Sequence, residues 1–481
     1  MPITVMSRLS GDKLTLDSVV FRKHENKSTN TLIMDTKPEK VPPRQKNKSV
    51  SREELLNLDK DDLVDRILRL EAHNTQLKCI ISKNLNNDEN GGVNTNKKPF
   101  NFANCHFRRV LLHVMYFGWD YQGFVVQEDS IQTIEHHLFH ALTKACLIES
   151  RESCQYHRCG RTDKGVSAFG QVISLSLRSK HPVEKQDLPE SITTEMQYSK
   201  ILNRLLPKDI RVVAWMPIPK ELPEYSARFD CIKRTYKFYF PRSSLDLDAM
   251  RRACAHLIGS HDFRHLCKMD VGNGVLTFTR HVLSADIVAV VERDTDLATS
   301  MYSLVIEGNA FLWHQIRCIM GVLLLVGQGK ESPDIIRELL DVEKLSRKPQ
   351  YHMASDVPLN LFHCSYDLED TNKWIYDKDD FKTVISHLQG EWTMFNVKST
   401  MLNDALQQLE AKYAEVMSET QNADSGESER NKVMAHTDCL TQGVRSKVYT
   451  PLLKRETCSS LQERIEHYKK KRKIDSSQKL L

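Results

Sequence analysis

The sequence predicts an α+β chain built around a mixed sheet, and three observations carry that prediction. Strand-like and helix-like stretches interleave at spacings too irregular for a doubly wound nucleotide-binding array. No glycine-rich phosphate fingerprint of the GxGxxG or GKS/T kind occurs in the chain. Hydrophobic residues make up 40% of the 481, enough to bury a sizeable core, while the 27% that are charged suit a soluble protein.

The elements follow in order. Residues 1–50 are polar, Lys- and Asn-rich and aperiodic, which predicts a disordered N-terminal tail. Ser51 with Glu54 then forms a capping-box signature, and Leu56, Leu63, Leu70 and Leu77 recur at seven-residue spacing. A helix over 51–84 follows, either a self-associating coil with Asn74 at an a position or an amphipathic helix packed on its own domain. Residues 85–101 read as a linker. Arg109–Tyr116 is apolar and β-prone, a buried strand. Thr133 caps a helix that sets Ile134, Leu138, Leu142 and Ala145 on one face. Gln155–Cys159 and Val166–Leu177 are strand-like and flank a loop at Asp163. Ile201–Leu206 reads as helix and Ile210–Met216 as strand. Thr235–Phe240 reads as strand, Asp248–Ile258 as helix, and Val282–Val291 and Met301–Glu307 as strands. Phe311–Val326 reads as a long apolar helix and Pro333–Leu340 as a shorter one. After about residue 370 the pattern weakens into a C-terminal extension, 371–481, with 417–435 polar enough for disorder. The extension ends on the basic run Lys469-Lys470-Lys471-Arg472-Lys473, which fits a nuclear address, an RNA-contacting tail or a solvated helix end.

Composition narrows the class. Ile319–Gly327, the most apolar stretch, is far shorter than the ~20 residues that span a bilayer. The N-terminus has no continuous apolar run of the secretory type, so the nucleus and cytoplasm are the expected compartments. The twelve cysteines are scattered with no Cys-x-x-Cys pair, which suits reduced structural thiols better than a zinc ribbon or a disulfide framework. A net charge of +5, from 68 basic and 63 acidic residues, permits nucleic-acid binding without requiring it.

The candidate site lies in Gly160-Arg161-Thr162-Asp163-Lys164-Gly165-Val166. Asp163 stands among Arg158, Arg161 and Lys164, whose charges favour an ionised carboxylate fit for a nucleophile or an electrostatic stabiliser. The flanking glycines allow a tight turn or close approach of a ligand. On spacing alone, a surface ion pair in a turn is the commoner arrangement. Tyr225-Ser226-Ala227-Arg228-Phe229 and Arg234-Thr235-Tyr236-Lys237-Phe238-Tyr239-Phe240 interleave basic and aromatic residues, as expected where unpaired bases stack and phosphates are held. An amphipathic core strand gives the same alternation. Arg317, inside an apolar helix, needs a carboxylate or a phosphate, and Asp163 is a natural partner. His314 beside it reads as a structural core histidine.

The run Tyr156-His157-Arg158-Cys159-Gly160-Arg161-Thr162-Asp163-Lys164-Gly165-Val166-Ser167-Ala168-Phe169-Gly170-Gln171-Val172 resembles the catalytic motif of the TruA family of pseudouridine synthases. Gly118-Trp119-Asp120-Tyr121-Gln122-Gly123 resembles the family's first loop. Four more stretches follow in the family's order: Ile201–Ile210, Ser226–Tyr236, Gly259–Phe263 and Phe311–Gly321. The similarity spans roughly residues 106–370, interrupted by what looks like an insertion between Ser179 and Tyr198.

The resemblance implies two ferredoxin-like halves, 102–230 and 231–370, sharing one mostly antiparallel sheet with a central cleft. It implies that Asp163 is the nucleophile, that Arg161 holds the target nucleotide out of its stack, that Tyr236 stacks on the uracil and assists removal of the C5 proton, and that Arg317 is ion-paired with Asp163. Arg158, Lys164, Arg228 and Arg234 are the further cations expected to contact RNA. The substrate implied is tRNA, modified in the anticodon stem-loop at positions 38 and 39, by a homodimer with no cofactor and no catalytic metal. The alternatives are a related synthase acting elsewhere on tRNA or on mRNA, and a non-catalytic tRNA-binding chaperone. A zipper-type DNA-binding protein is excluded because Pro42-Pro43 breaks the basic helix it requires.

Overall fold

The computed structural model describes residues 100–127, 130–291, 299–370, 373–420, 437–443 and 448–478. The 1–50 tail, the heptads of 51–84, the linker up to residue 99 and residues 421–436 lie outside these.

The chain enters as β1 (His106–Tyr116), crosses in α1 (Ile134–Lys144), makes the short β2 (His157–Arg158) and returns as β3 (Ser167–Ser179). Thr133 caps α1 as expected, its side chain accepting from the His136 amide at 3.4 Å. Two short helices, α2 (Pro189–Thr193) and α3 (Tyr198–Asn203), lead to β4 (Ile210–Pro217). The expected helix at Ile201–Leu206 thus begins and ends earlier, closing before Pro207. The inserted segment is packed down: Glu195 is buried 3.2 Å from the Arg108 guanidinium, and Arg108 also donates to the Gln186 carbonyl at 2.6 Å.

The second half runs β5 (Cys231–Pro241), α4 (Leu247–Ala255), β6 (Gly259–Asp262), β7 (Thr279–Val291), β8 (Met301–Gly308), α5 (Gln315–Gly327), α6 (Ile335–Leu340) and β9 (Leu359–Tyr366). All nine strands form one sheet, ordered β4-β1-β3-β9-β5-β8-β7-β6, with β2 paired to β3. Every pairing is antiparallel except β3 with β9, which meet in parallel through Ser167–Asn360 and Ala168–Leu361. This short parallel pairing is the seam between the strands that precede residue 231 and those that follow it. The architecture is therefore α+β around a mixed, mostly antiparallel sheet.

Two elements depart from the sequence reading. Strand β9, which builds the seam, carries no clean alternation because Asn360, His363 and Ser365 interrupt its apolar residues. The weak pattern after residue 370 conceals α7 (Lys378–Thr420), a helix of 43 residues. A last helix, α8 (Leu461–Gln478), includes the basic run. Helix α5 is the opposite of α7: almost every residue in it is buried, in keeping with its Leu, Ile and Val content. It starts at Gln315 and not at the expected Phe311, because His314 adopts a left-handed backbone, φ +56°, that no α-helix continues.

Candidate active site

Asp163 sits on the turn between β2 and β3, a few residues before the parallel seam. The turn is held on all sides. The Val166 amide donates to the Asp163 carbonyl at 3.2 Å, and the Phe124 amide donates to the Thr162 carbonyl at 3.1 Å. The buried Thr162 hydroxyl shares a 2.7 Å hydrogen bond with Tyr116. Gln171 bonds Gly160 twice, donating to its carbonyl at 3.0 Å and accepting from its amide at 3.3 Å. Gly165 lies at φ +76°, where a Cβ would also come within 2.8 Å of Asp356 Cγ, so only glycine fits that position. The Gly118–Gln127 loop closes tightly over this turn: a Cβ at Gly118 would stand 2.0 Å from the Val166 carbonyl oxygen.

Four side chains, Asp163, Arg317, His314 and Asp356, meet at the seam. Arg317, on the first turn of α5 and only 3% exposed, places Nη1 at 3.9 Å from Asp163 Oδ2 and Nη2 at 3.8 Å from Asp356 Oδ2. Its Nε donates to the Ala354 carbonyl at 2.9 Å. Nη2 makes no hydrogen bond to the described protein atoms, so one donor of a buried guanidinium is left at the site. His314 Nε2 lies 3.2 Å from the same Oδ2 of Asp163. Its left-handed backbone turns the imidazole toward the aspartate, against the expectation of a core histidine. Asp163 thus faces a guanidinium and an imidazole brought by the other half of the sheet. Asp356 did not stand out in the sequence, and His314 reads there as structural. His is among the residues that tolerate a positive φ, but nothing local announces one.

Tyr236 is buried on β5 with its hydroxyl next to the Asp163 turn: a Cβ built at Gly160 would stand 3.9 Å from Tyr236 Oη. Its ring meets Phe311 edge-on at 5.3 Å. Burial pushes the phenol well above its usual pKa, with the nearby Cys364 and Cys159 adding to the effect, so it is a protonated group at neutral pH. Phe238 and Phe240 on this strand follow the core alternative and are fully buried, while Tyr239 between them is half-buried.

The cations separate into two groups. Arg158 is committed to Glu135, a fully buried carboxylate on α1, at 2.7 Å, and Arg151 and Tyr156 also bond that carboxylate at 3.0 and 2.8 Å. Arg234 clips backbone: it donates to the carbonyls of Cys159 at 3.1 Å, Arg228 at 3.0 Å, and Asn309. Both are tied into the fold by these bonds. Arg161 and Lys164 are exposed and bond no described side chain. Arg228 is exposed too, its guanidinium 5.1 Å over the ring of Phe229, which is 73% exposed and touches His157 edge-on.

With this geometry, the similarity to known proteins becomes specific. A family described as tRNA pseudouridine synthase matches residues 253–367, the stretch that carries Arg317. The chain is 41% identical over 439 residues to the tRNA pseudouridine(38/39) synthase of Mus musculus, spanning 88% of this chain and 89% of that one. It is equally similar, 41% over 438 residues, to the tRNA pseudouridine(38/39) synthase of Homo sapiens, spanning 86% and 89%. The Saccharomyces cerevisiae tRNA pseudouridine(38/39) synthase is 36% identical over 341 residues, 68% of this chain and 75% of that one. With such identity over nearly nine-tenths of two of these proteins, the chain belongs to the tRNA pseudouridine synthase family of TruA type.

Proposed function

We propose that this protein isomerises uridine to pseudouridine at positions 38 and 39 of the tRNA anticodon stem-loop, with Asp163 as the nucleophile. The observation that carries the reading is the convergence on one carboxylate oxygen of Arg317 and His314 from the far side of the seam. The names of the mammalian and yeast relatives supply the positions.

In this reading the target uridine leaves the stack, at a cost of a few kcal/mol, and enters beside Asp163. Arg161 fills the space the base vacates, and the Tyr236 ring lies against the uracil. The C1′–N1 bond breaks, the uracil turns, C5 bonds to C1′ as the bond to Asp163 is released, the C5 proton departs and N1 takes up a proton. The product has the same atoms as the substrate. A phenol kept protonated by burial is a poor base, so Tyr236 is assigned to stacking, and the Asp163 carboxylate becomes the nearest acceptor for the C5 proton. Arg317 and His314 hold that carboxylate in place through each bond change. Lys164 and Arg228 contribute charge toward the RNA backbone, with the Phe229 ring beside Arg228 offered to an unpaired base.

The test is to add the purified protein to unmodified tRNA and map pseudouridine. Conversion at 38 and 39 is expected. Marks only at other positions, or on mRNA, would assign a different specificity, and binding without conversion would favour the chaperone alternative.

We also infer a homodimer formed through α7. Ile385, Leu388, Trp392, Phe395, Leu402, Leu406, Leu409, Tyr413 and Val416 recur along it at alternating three- and four-residue steps, broken only where Ser399 takes one place. Most of this stripe is exposed, Leu402 to 72% and Leu409 to 69%, which is the pattern of a coiled-coil face awaiting an identical helix. Leu402→Asp with Leu409→Asp is expected to halve the mass in solution. An unchanged mass would remove α7 from the interface. For location we propose nucleus and cytoplasm, through the basic run on α8, to be checked by imaging the chain with that run replaced by glutamines.

A further inference from the structure

Three cysteines from distant parts of the chain meet beneath the Asp163 turn. Cys159 lies on the turn itself, Cys231 opens β5 and Cys364 lies in β9. All three are buried, and their sulfurs lie within 4.8 Å of one another, Cys159 and Cys364 at 3.3 Å. Sulfurs that share one zinc ion at ~2.3 Å each stand roughly 3.8–4.0 Å apart. To share an ion, Cys159 and Cys364 must move apart by about half an ångström from their present 3.3 Å.

A second observation concerns charge. Arg234 lies against this cluster, and its guanidinium donates to three backbone carbonyls and pairs with no carboxylate among the described residues. Burial disfavours its charge, while the neighbouring Cys159, Cys231, Cys364 and Tyr236 favour it. A half-buried cation without an anionic partner carries a desolvation cost. Three neighbouring thiolates would supply negative charge but would repel one another. One divalent cation reconciles both demands: three thiolates with Zn²⁺ leave a single negative charge, which Arg234 neutralises.

We propose that Cys159, Cys231 and Cys364 form a structural site for one thiophilic cation, Zn²⁺ by charge balance. Binding releases the thiol protons and forms three Zn–S bonds, with no change of oxidation state. The site joins the turn that carries Asp163 to the strand that carries Tyr236 and to the seam strand β9. Three thiolates fill three of the four positions zinc takes and leave the fourth to a water; the site serves the fold and not the reaction, because the sulfurs are buried and none belongs to the group that faces Asp163.

The test uses the full-length protein, purified under reducing conditions and analysed for bound metals by mass spectrometry. About one zinc per chain is expected. Cys231→Ser and Cys364→Ser should each lose it, while Cys254→Ser, which changes a buried cysteine in α4, should keep it. Because a cysteine variant can misfold, the unaltered chain is also stripped of metal and titrated with Co²⁺, when thiolate-to-cobalt charge-transfer absorption should grow to a one-to-one endpoint. No zinc together with no cobalt absorption overturns the site and leaves three hydrogen-bonded thiols. A Cys159–Cys364 disulfide in the purified chain overturns it equally, and copper(I) in place of zinc overturns the assignment of the ion.

Discussion

Arg158 and Arg161 stand three residues apart in the run that carries Asp163, and the structure gives them opposite duties. Arg158 points back into the protein, where Glu135, fully buried, takes its charge at 2.7 Å along with bonds from Arg151 and Tyr156. Arg161 points out and bonds no described side chain. The same contrast separates Arg234, spent on backbone carbonyls, from Arg228, which lies over an exposed ring. Around an RNA site, the number of positive residues is therefore a poor guide to binding. What matters is which of them lack a partner. A buried guanidinium fixes the frame and affects stability, whereas a free one acts at long range and its effect falls with salt.

Chemistry should be separable from both kinds of cation, and this is the largest effect expected. Asp163→Asn keeps the shape of the turn and should lower the rate of pseudouridine formation on the order of 10⁴-fold or more. Since Asp163 is not one of the outward cations, tRNA affinity should stay within a few-fold, measured by filter binding. An equal drop in rate and affinity would mean that the residue binds and does not react.

Next in size is Arg158→Ala. It removes one charge-assisted hydrogen bond from a carboxylate that water cannot reach, at a cost of about 1.5–3 kcal/mol of stability. Arg151 and Tyr156 remain on Glu135, so the fold should survive, with a lower thermal midpoint. The salt dependence of tRNA binding should not change. A changed salt slope with unchanged stability would put Arg158 on the RNA and overturn the division drawn above.

Much of this frame was legible in the sequence and some of it was not. Strands β1, β4, β7 and β8 were readable because their apolar residues run or alternate over seven or more positions. β9 was not, because a strand buried at a seam carries Asn360, whose side chain accepts from the Phe169 amide at 3.0 Å in place of a neighbour's backbone. Helix α7 keeps its three- and four-residue steps, but the polar residues between them lower the average hydrophobicity and hide the stripe. At the site, Asp163 and Arg317 could be joined only by family order, since more than a hundred residues separate them. His314 depends on a positive φ and Asp356 on its packing against a glycine, and neither leaves a mark in composition or spacing.

Phe229 gives a smaller effect that tests the outward group without removing charge. A ring 73% exposed contributes little to the core, so Phe229→Ala should leave the thermal midpoint in place. If the ring stacks on an unpaired base, tRNA affinity should fall by about 1–3 kcal/mol with no change in salt slope. An unchanged affinity would restrict the RNA-facing surface to Arg161, Lys164 and Arg228.

The smallest effect is the sharpest test of the comparison. Arg161→Ala and Lys164→Ala each remove one exposed charge and no described hydrogen bond. Stability should therefore be unaltered. Removing a single phosphate-bound cation should reduce the slope of log affinity against log salt by about 1, and the double variant by about twice that. The two replacements should then differ in rate. If Lys164 acts through charge alone, saturating tRNA should restore its turnover, whereas an Arg161 that also fills the place of the flipped base should leave its variant slow at saturation. Equal recovery of both would reduce Arg161 to one more phosphate ligand. A slow Arg161 variant with an unchanged salt slope would instead place its guanidinium in the base stack and away from phosphate.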